Sequence, residues 1–178
     1  YFFFFFFGLA THGLTIYFYF VQRTSKKLSV DESRQKIYAY CAYQERTHLE
    51  VKNKLFQYGL YSNEVDEFLS QLIVEGYLNE ERFAKAFAGG KFRVKQWGRV
   101  KIMHELEARG LTNNCIRSGM KEIDETDYLN TLTLLLTKKA KLLDDKDQLI
   151  RRQKLAKYAI QKGFESELVW KYVKNLGD

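Results

Sequence analysis

The chain has 178 residues, 46% apolar and 29% charged, with 29 Lys and Arg against 22 Asp and Glu for a net charge of +7. That balance excludes a wholly disordered chain, and two cysteines exclude a disulfide framework, so stability must come from a hydrophobic core, in a reducing compartment. With no proline to interrupt them, long helices are expected, in one domain or a few small modules.

Residues 1–21 carry no Lys, Arg, Asp or Glu, open with Phe2 to Phe7, and are followed by Arg23, Lys26 and Lys27. As a helix rising ~1.5 Å per residue the stretch reaches across a hydrocarbon core of ~30 Å, and the basic residues behind it would hold the rest of the chain in the cytoplasm. It lacks the charged leading region of a signal peptide, and its first residue is Tyr1 rather than Met. Three assignments stay open for residues 1–27: a non-native or poorly ordered extension, a membrane segment, or a packed hydrophobic arm. Membrane association is expected only if residues 1–21 are an anchor, and the functional argument rests on the remainder.

From Leu28 onward the pattern is amphipathic helices separated by short polar turns. Ser29 to Glu32 and Thr47 to Glu50 have the spacing of capping boxes, each predicting a helix start. An internal match then recurs. Val51, Leu55, Gly59, Leu60 and Val65 share their spacing with Ile102, Leu106, Gly110, Leu111 and Ile116, and with Leu155, Ala159, Gly163, Phe164 and Val169. Each set places apolar residues a turn apart, then a glycine suited to a left-handed helix end, then an apolar residue packed beneath the turn. Ser62, Thr112 or Asn113, and Ser166 are the expected N-caps of the helices that follow. Further helices are expected upstream of each set, at about 33–45, about 79–95 with Phe83, Phe87 and Phe92, and about 126–143 with Leu129, Leu132, Leu136, Ala140 and Leu143. The expected fold is all-α: three tandem three-helix repeats at 28–78, 79–124 and 125–178, stacked in a curved array. The apolar stripes themselves need no explanation beyond core packing.

The motifs that could carry catalysis each lack a required atom. His104-Glu105-Leu106-Glu107-Ala108 begins as a zinc-protease helix and ends in alanine where the second ligand belongs. His48-Leu49-Glu50 has no proline–cysteine pair to complete a deaminase site, and Gly89-Gly90-Lys91-Phe92 lacks the leading glycine and the metal-binding hydroxyl of a phosphate loop. Cys41 and Cys115 sit among apolar neighbours as small hydrophobes. No enzyme, cofactor or metal is therefore expected.

Positive charge concentrates in the middle. Residues 80–123 hold ten basic and five acidic residues, and between Glu81 and Glu105 lie Arg82, Lys85, Lys91, Arg93, Lys95, Arg99 and Lys101 with no acid. Phe92 and Trp97 are interleaved, a mixture that holds phosphates by charge and offers a stacking face. A second acid-free run carries Arg151, Arg152, Lys154, Lys157 and Lys162. Against the alternative of a solvated helix face, the candidate binding residues are Lys91, Arg93, Lys95, Trp97, Arg99, Lys101, Arg151 and Arg152. Trp97-Gly98 marks a helix–helix turn, with Lys95, Arg99 and Lys101 expected to converge around it.

These residues resemble a family. Asn79-Glu80-Glu81-Arg82-Phe83-Ala84-Lys85-Ala86-Phe87, Trp97-Gly98-Arg99-Val100-Lys101-Ile102 and Glu105-Leu106-Glu107-Ala108-Arg109-Gly110-Leu111 are similar, in order, to the central signature of the bacterial RecX regulatory proteins. Glu75 to Leu78 and Lys162-Gly163-Phe164 extend the likeness over roughly residues 28–178. The family pattern has Gly-Tyr-Gly-Pro where this chain has Gln96-Trp97-Gly98-Arg99, which predicts a looser turn. The resemblance implies that the repeats are helix-turn-helix-like and form an elongated array, and that the protein modulates the RecA recombinase, by inhibition, in DNA repair, recombination and the SOS response. It implies a cytoplasmic protein, expected as a monomer, bound in the groove of the RecA filament on single-stranded DNA with direct DNA contact as an added expectation. The alternative is a partner-independent nucleic-acid-binding helical repeat.

Overall fold

The computed structural model describes residues 27–144 and 146–175, the last by its backbone alone. The open assignments for the Phe-rich segment before Lys27 lie outside the described residues. Among those described there are nine helices and no strand. They are α1 Val30–Tyr43, α2 His48–Gln57, α3 Ser62–Val74, α4 Glu80–Lys95, α5 Arg99–Glu107, α6 Asn113–Met120, α7 Glu125–Ala140, α8 Gln148–Gln161 and α9 Ser166–Asn175. In threes they make tandem three-helix modules.

Local chemistry sets the helix ends. Both capping boxes form, with Ser29 and Thr47 accepting from the Glu32 and Glu50 N–H groups while each glutamate accepts from the cap's own N–H. Asn79, Thr112, Asp124 and Asp147 cap α4, α6, α7 and α8 with side-chain oxygens. Such caps contribute about 1 kcal/mol each. Ser62 and Ser166 are corrections: each lies inside its helix as the first residue. At α3 the cap position is Tyr61, whose side chain accepts no cap bond, while its own N–H donates to the Glu64 carboxylate at 2.7 Å. At α9 the Glu165 carbonyl takes the Val169 N–H.

All three repeat glycines have positive φ, +86° at Gly59, +78° at Gly110 and +94° at Gly163. Beyond each, the N–H of Leu60, Leu111 or Phe164 reaches back five residues to the carbonyl of Leu55, Leu106 or Ala159. This six-to-one bond closes the helix end and swings the next apolar side chain under it. The matched apolar positions of all three sets are buried.

The described chain divides after Leu78 into two compact units. In the first, Ile37, Val51, Leu55, Val65 and Leu72 form the core. In the second, modules α4–α6 and α7–α9 share one core that includes Phe83, Phe92, Ile102, Leu106, Tyr128, Leu132, Leu136, Phe164 and Val169. Their joint explains two glycines. Gly98 donates its N–H to the Lys162 carbonyl at 2.8 Å and Val100 donates to Gly163 at 3.0 Å, so the start of α5 and the end of α8 cap each other. A β-carbon on Gly98 would run into the Gly163 carbonyl, and one on Gly163 into Lys101. The turn expected to be loose without its proline is thus clamped from the next module.

Candidate functional site

Helical spacing builds the site. Phe87 and Lys91 lie one turn apart on α4, and Lys101 and Glu105 one turn apart on α5, with Arg109 one turn further on, just past the helix end. The α4–α5 turn adds Trp97. Packing α4 against α5 then makes an alternating strip of cations and rings. The Arg109 guanidinium lies over Phe87 at 4.8 Å, Lys91 Nζ lies 5.0 Å from both Phe87 and Trp97, and Lys101 Nζ lies 4.5 Å from Trp97. Each such contact is worth roughly 0.5–1 kcal/mol where solvent reaches it. All five side chains are half-buried.

Glu105 stabilises the strip from within. Arg109 Nη1 donates to its Oε2 at 2.7 Å and to its backbone carbonyl at 2.7 Å. That hydrogen bond, with the charges of Arg109, Lys101 and Lys91, holds the Glu105 carboxyl below its ordinary range. One acid among three cations leaves a net positive strip. At the Gly98–Gly163 joint it meets a smaller cluster, in which Lys139 and Lys162 lie 5.4 and 5.9 Å from the Tyr158 ring.

The structure brings together three of the sequence-derived candidates, Lys91, Trp97 and Lys101. Arg93 and Lys95 are exposed near the end of α4, with the Arg93 guanidinium folded back over Gly89. Arg99 does not converge with Lys101. Its Nη2 pairs with Glu125 Oε2 at 2.6 Å, its guanidinium covers the Tyr128 ring at 4.1 Å, and its N–H donates to the Tyr128 hydroxyl at 3.1 Å. The reason is the joint: buried Tyr128 donates in turn to Glu165 Oε2 at 2.6 Å, and its hydroxyl is pushed well above the usual range by burial and by that carboxylate. Arg151 is likewise occupied, donating to the Ala140 carbonyl at the end of α7 at 2.9 Å, and Arg152 is half-buried on α8.

Phe87, expected in the core, packs against it and also faces the strip, and Arg109 was expected only as part of a motif. Both belong to the strip, as does Glu105, and the signal available in the sequence was the one-turn spacing of Phe87 with Lys91 and of Lys101 with Glu105 and Arg109. No group of three His, Cys, Asp or Glu comes together as a metal site among the described residues, and none of their helices is long and apolar enough to cross a membrane. Burial raises the Cys41 thiol to about 11, which keeps it un-ionised near neutrality.

Comparison with known proteins follows the same modules. The model for the second three-helix domain of RecX matches residues 79–120 and that for the third matches residues 125–173, together just over half of the chain. The regulatory protein RecX of Bacillus cytotoxicus is 27% identical over 143 residues, 78% of this chain and 53% of that protein. That of Prosthecochloris aestuarii is 26% identical over 130 residues, covering 73% of this chain and 83% of the relative. The chain thus spans only about half the length of the Bacillus relative. The crystal structure of RecX from Lactobacillus salivarius shares the fold with a TM-score of 0.75 at 18% identity, over 83% of this chain and 96% of that one. With consecutive RecX domains matched in order on the second and third modules, the second of which carries the strip, this chain belongs to the RecX family of regulatory proteins.

Proposed function

We propose that this chain is a non-catalytic regulator that binds the RecA filament on single-stranded DNA and lowers its ATPase and strand-exchange activity, acting in the cytoplasm in DNA repair and the SOS response. The observation that carries the reading is the cation–aromatic strip. Its charges are held against rings instead of being freely solvated, so little side-chain freedom is lost when an acidic partner covers them. Lys91, Trp97 and Lys101 form the centre of the proposed contact, and Arg93 and Lys95 extend it along α4. Arg151 and Arg152 add positive charge outside that centre, and Arg99 is held by Glu125 and Tyr128.

The test is the single-stranded-DNA-dependent ATPase rate of the matching RecA with added protein. A dose-dependent fall is expected at concentrations too low to coat the DNA. Changing Lys91, Arg93, Lys95 and Lys101 together to Gln should raise the half-effective concentration at least tenfold, about 1.4 kcal/mol, with the helical circular-dichroism spectrum unchanged. Equal inhibition by that variant removes the strip from the site, and no effect of the wild type removes the reading.

A second reading, partner-independent binding of single strands, is favoured by Trp97 set between two lysines, since a ring with flanking cations suits base stacking. It predicts binding to bare strands as tight as to the filament, falling steeply with salt as counterions are released.

A further inference from the structure

The side of α5 that bears the strip has a counterpart one repeat on. In the register of the glycine turns, Lys101, Glu105 and Arg109 match Lys154, Tyr158 and Lys162 of the third module. There a ring replaces the acid, and a cation from the preceding helix again completes the cluster. Lys139 Nζ of α7 lies 5.4 Å from the centre of the Tyr158 ring and Lys162 Nζ 5.9 Å from it. The joint connects the two groups. Lys101 lies so close to Gly163 that a β-carbon added there would stand 2.2 Å from its own, and Lys162, the residue before, accepts the Gly98 N–H through its backbone carbonyl at 2.8 Å.

Charge and composition decide what such a surface takes. Lys91, Lys101, Arg109, Lys139 and Lys162 share these two clusters with one acid, Glu105, which Arg109 already binds. Glu165, the acid nearest the joint in sequence, accepts from the buried Tyr128 hydroxyl. The excess of cations favours an anion. Carboxylates on a protein surface are met by cations alone, whereas Phe87, Trp97 and Tyr158 standing among the cations suit an anion that also carries flat faces. A single strand presents both, phosphates for the charges and bases for the rings. Each of these cations and rings is half-buried, held by its neighbours while still reaching solvent.

We propose that the strip and the Tyr158 cluster form one track across the α5–α8 joint, and that its occupant is single-stranded DNA, with phosphates on the cations of both modules and bases against the rings. The backbone bonds of the joint hold the start of α5 on the end of α8, so the two halves of the track meet a strand as one body. The proposal rests on the reading of this site as the one that meets the DNA-bound filament, and it names the strand as the component met.

The test measures binding of the full chain to oligo-dT at several salt concentrations, beside inhibition of the matching RecA ATPase. Two double variants are compared with the wild type. Lys139→Gln, Lys162→Gln removes the third module's track cations and keeps the Lys162 carbonyl that the joint uses, whereas Lys138→Gln, Lys141→Gln removes two exposed cations at the same end of α7. With a slope of ~0.7 per phosphate contact on a single strand, the first variant should flatten the dependence of log affinity on log salt by about 1.4, and the second should leave it unchanged. The single change Lys139→Gln, outside the joint, should flatten it by half as much and reads the same contact if the double variant folds poorly. A wild-type slope kept by the first variant, or lost equally by the second, overturns the proposal. So does displacement of oligo-dT by poly-glutamate at equal charge concentration, which makes the site one for acidic protein. No oligo-dT binding by the wild type at low salt overturns the track whether or not RecA is inhibited. Binding with the expected slopes but no effect on RecA supports the track and overturns the filament reading.

Discussion

Gln96 holds a φ of +52° where α4 ends, the one left-handed non-glycine residue among those described. Its N–H donates to the Phe92 carbonyl at 2.9 Å, and the Trp97 N–H donates to Lys91 at 3.3 Å, so the residue closes the helix as a glycine would. The left-handed region costs an L-residue with a β-carbon roughly 1–2 kcal/mol. Gln96→Gly should therefore raise stability by about 1 kcal/mol, less than the full strain because glycine also gains freedom in the unfolded chain. Urea unfolding checks this as a higher midpoint at unchanged slope. The departure from the family's Gly-Tyr-Gly-Pro was legible in the sequence, but its consequence was not. Arg99, in the place of proline, has an N–H that the Tyr128 hydroxyl accepts, a bond proline cannot make. Nothing in the sequence singles out Tyr128, because its role depends on Arg99 and Glu165, 29 and 37 residues away.

At the scale of elements, three turns with one sequence pattern share one backbone geometry and differ in surroundings. A β-carbon on Gly110 would meet nothing within 4 Å, whereas one on Gly163 would strike Lys101. Gly110→Ala should cost about 1 kcal/mol from its φ alone. Gly163→Ala carries that strain and also forces the joint apart, so its loss should be at least twice as large. Thermal unfolding of the two variants side by side measures the difference, and equal shifts would mean that the joint adds nothing. The repeat, the helix ends and the buried positions were legible because caps, positive φ and one-turn spacing act over five residues or fewer. Ser62 and Ser166 were misplaced by a single position because each already has helical backbone as the first residue of its helix, and at α3 Glu64 anchors the N–H before it without a capping hydroxyl.

For the molecule as a whole, the residues from Asn79 onward have a core of their own, joined by reciprocal capping of α5 and α8. A fragment of residues 79–178 should fold alone, with a helical spectrum and one cooperative transition, because its two modules share the aromatic centre of Phe92, Tyr128 and Phe164. Two separated transitions would show that the modules unfold independently. The strip lies wholly within this fragment, so fragment and full chain also compare its binding directly. The sequence by itself determined the all-α modules, their glycine turns, their family and the concentration of positive charge in the second module, all of which follow from short-range periodicity and composition. Only the tertiary structure decided which cations meet: helix packing sets Lys91, Lys101 and Arg109 against Phe87 and Trp97, and the module joint draws Arg99 away to Glu125 and Tyr128. The physical reason is that rotation of a helix about its axis is set by what it packs on, and those partners lie tens of residues away.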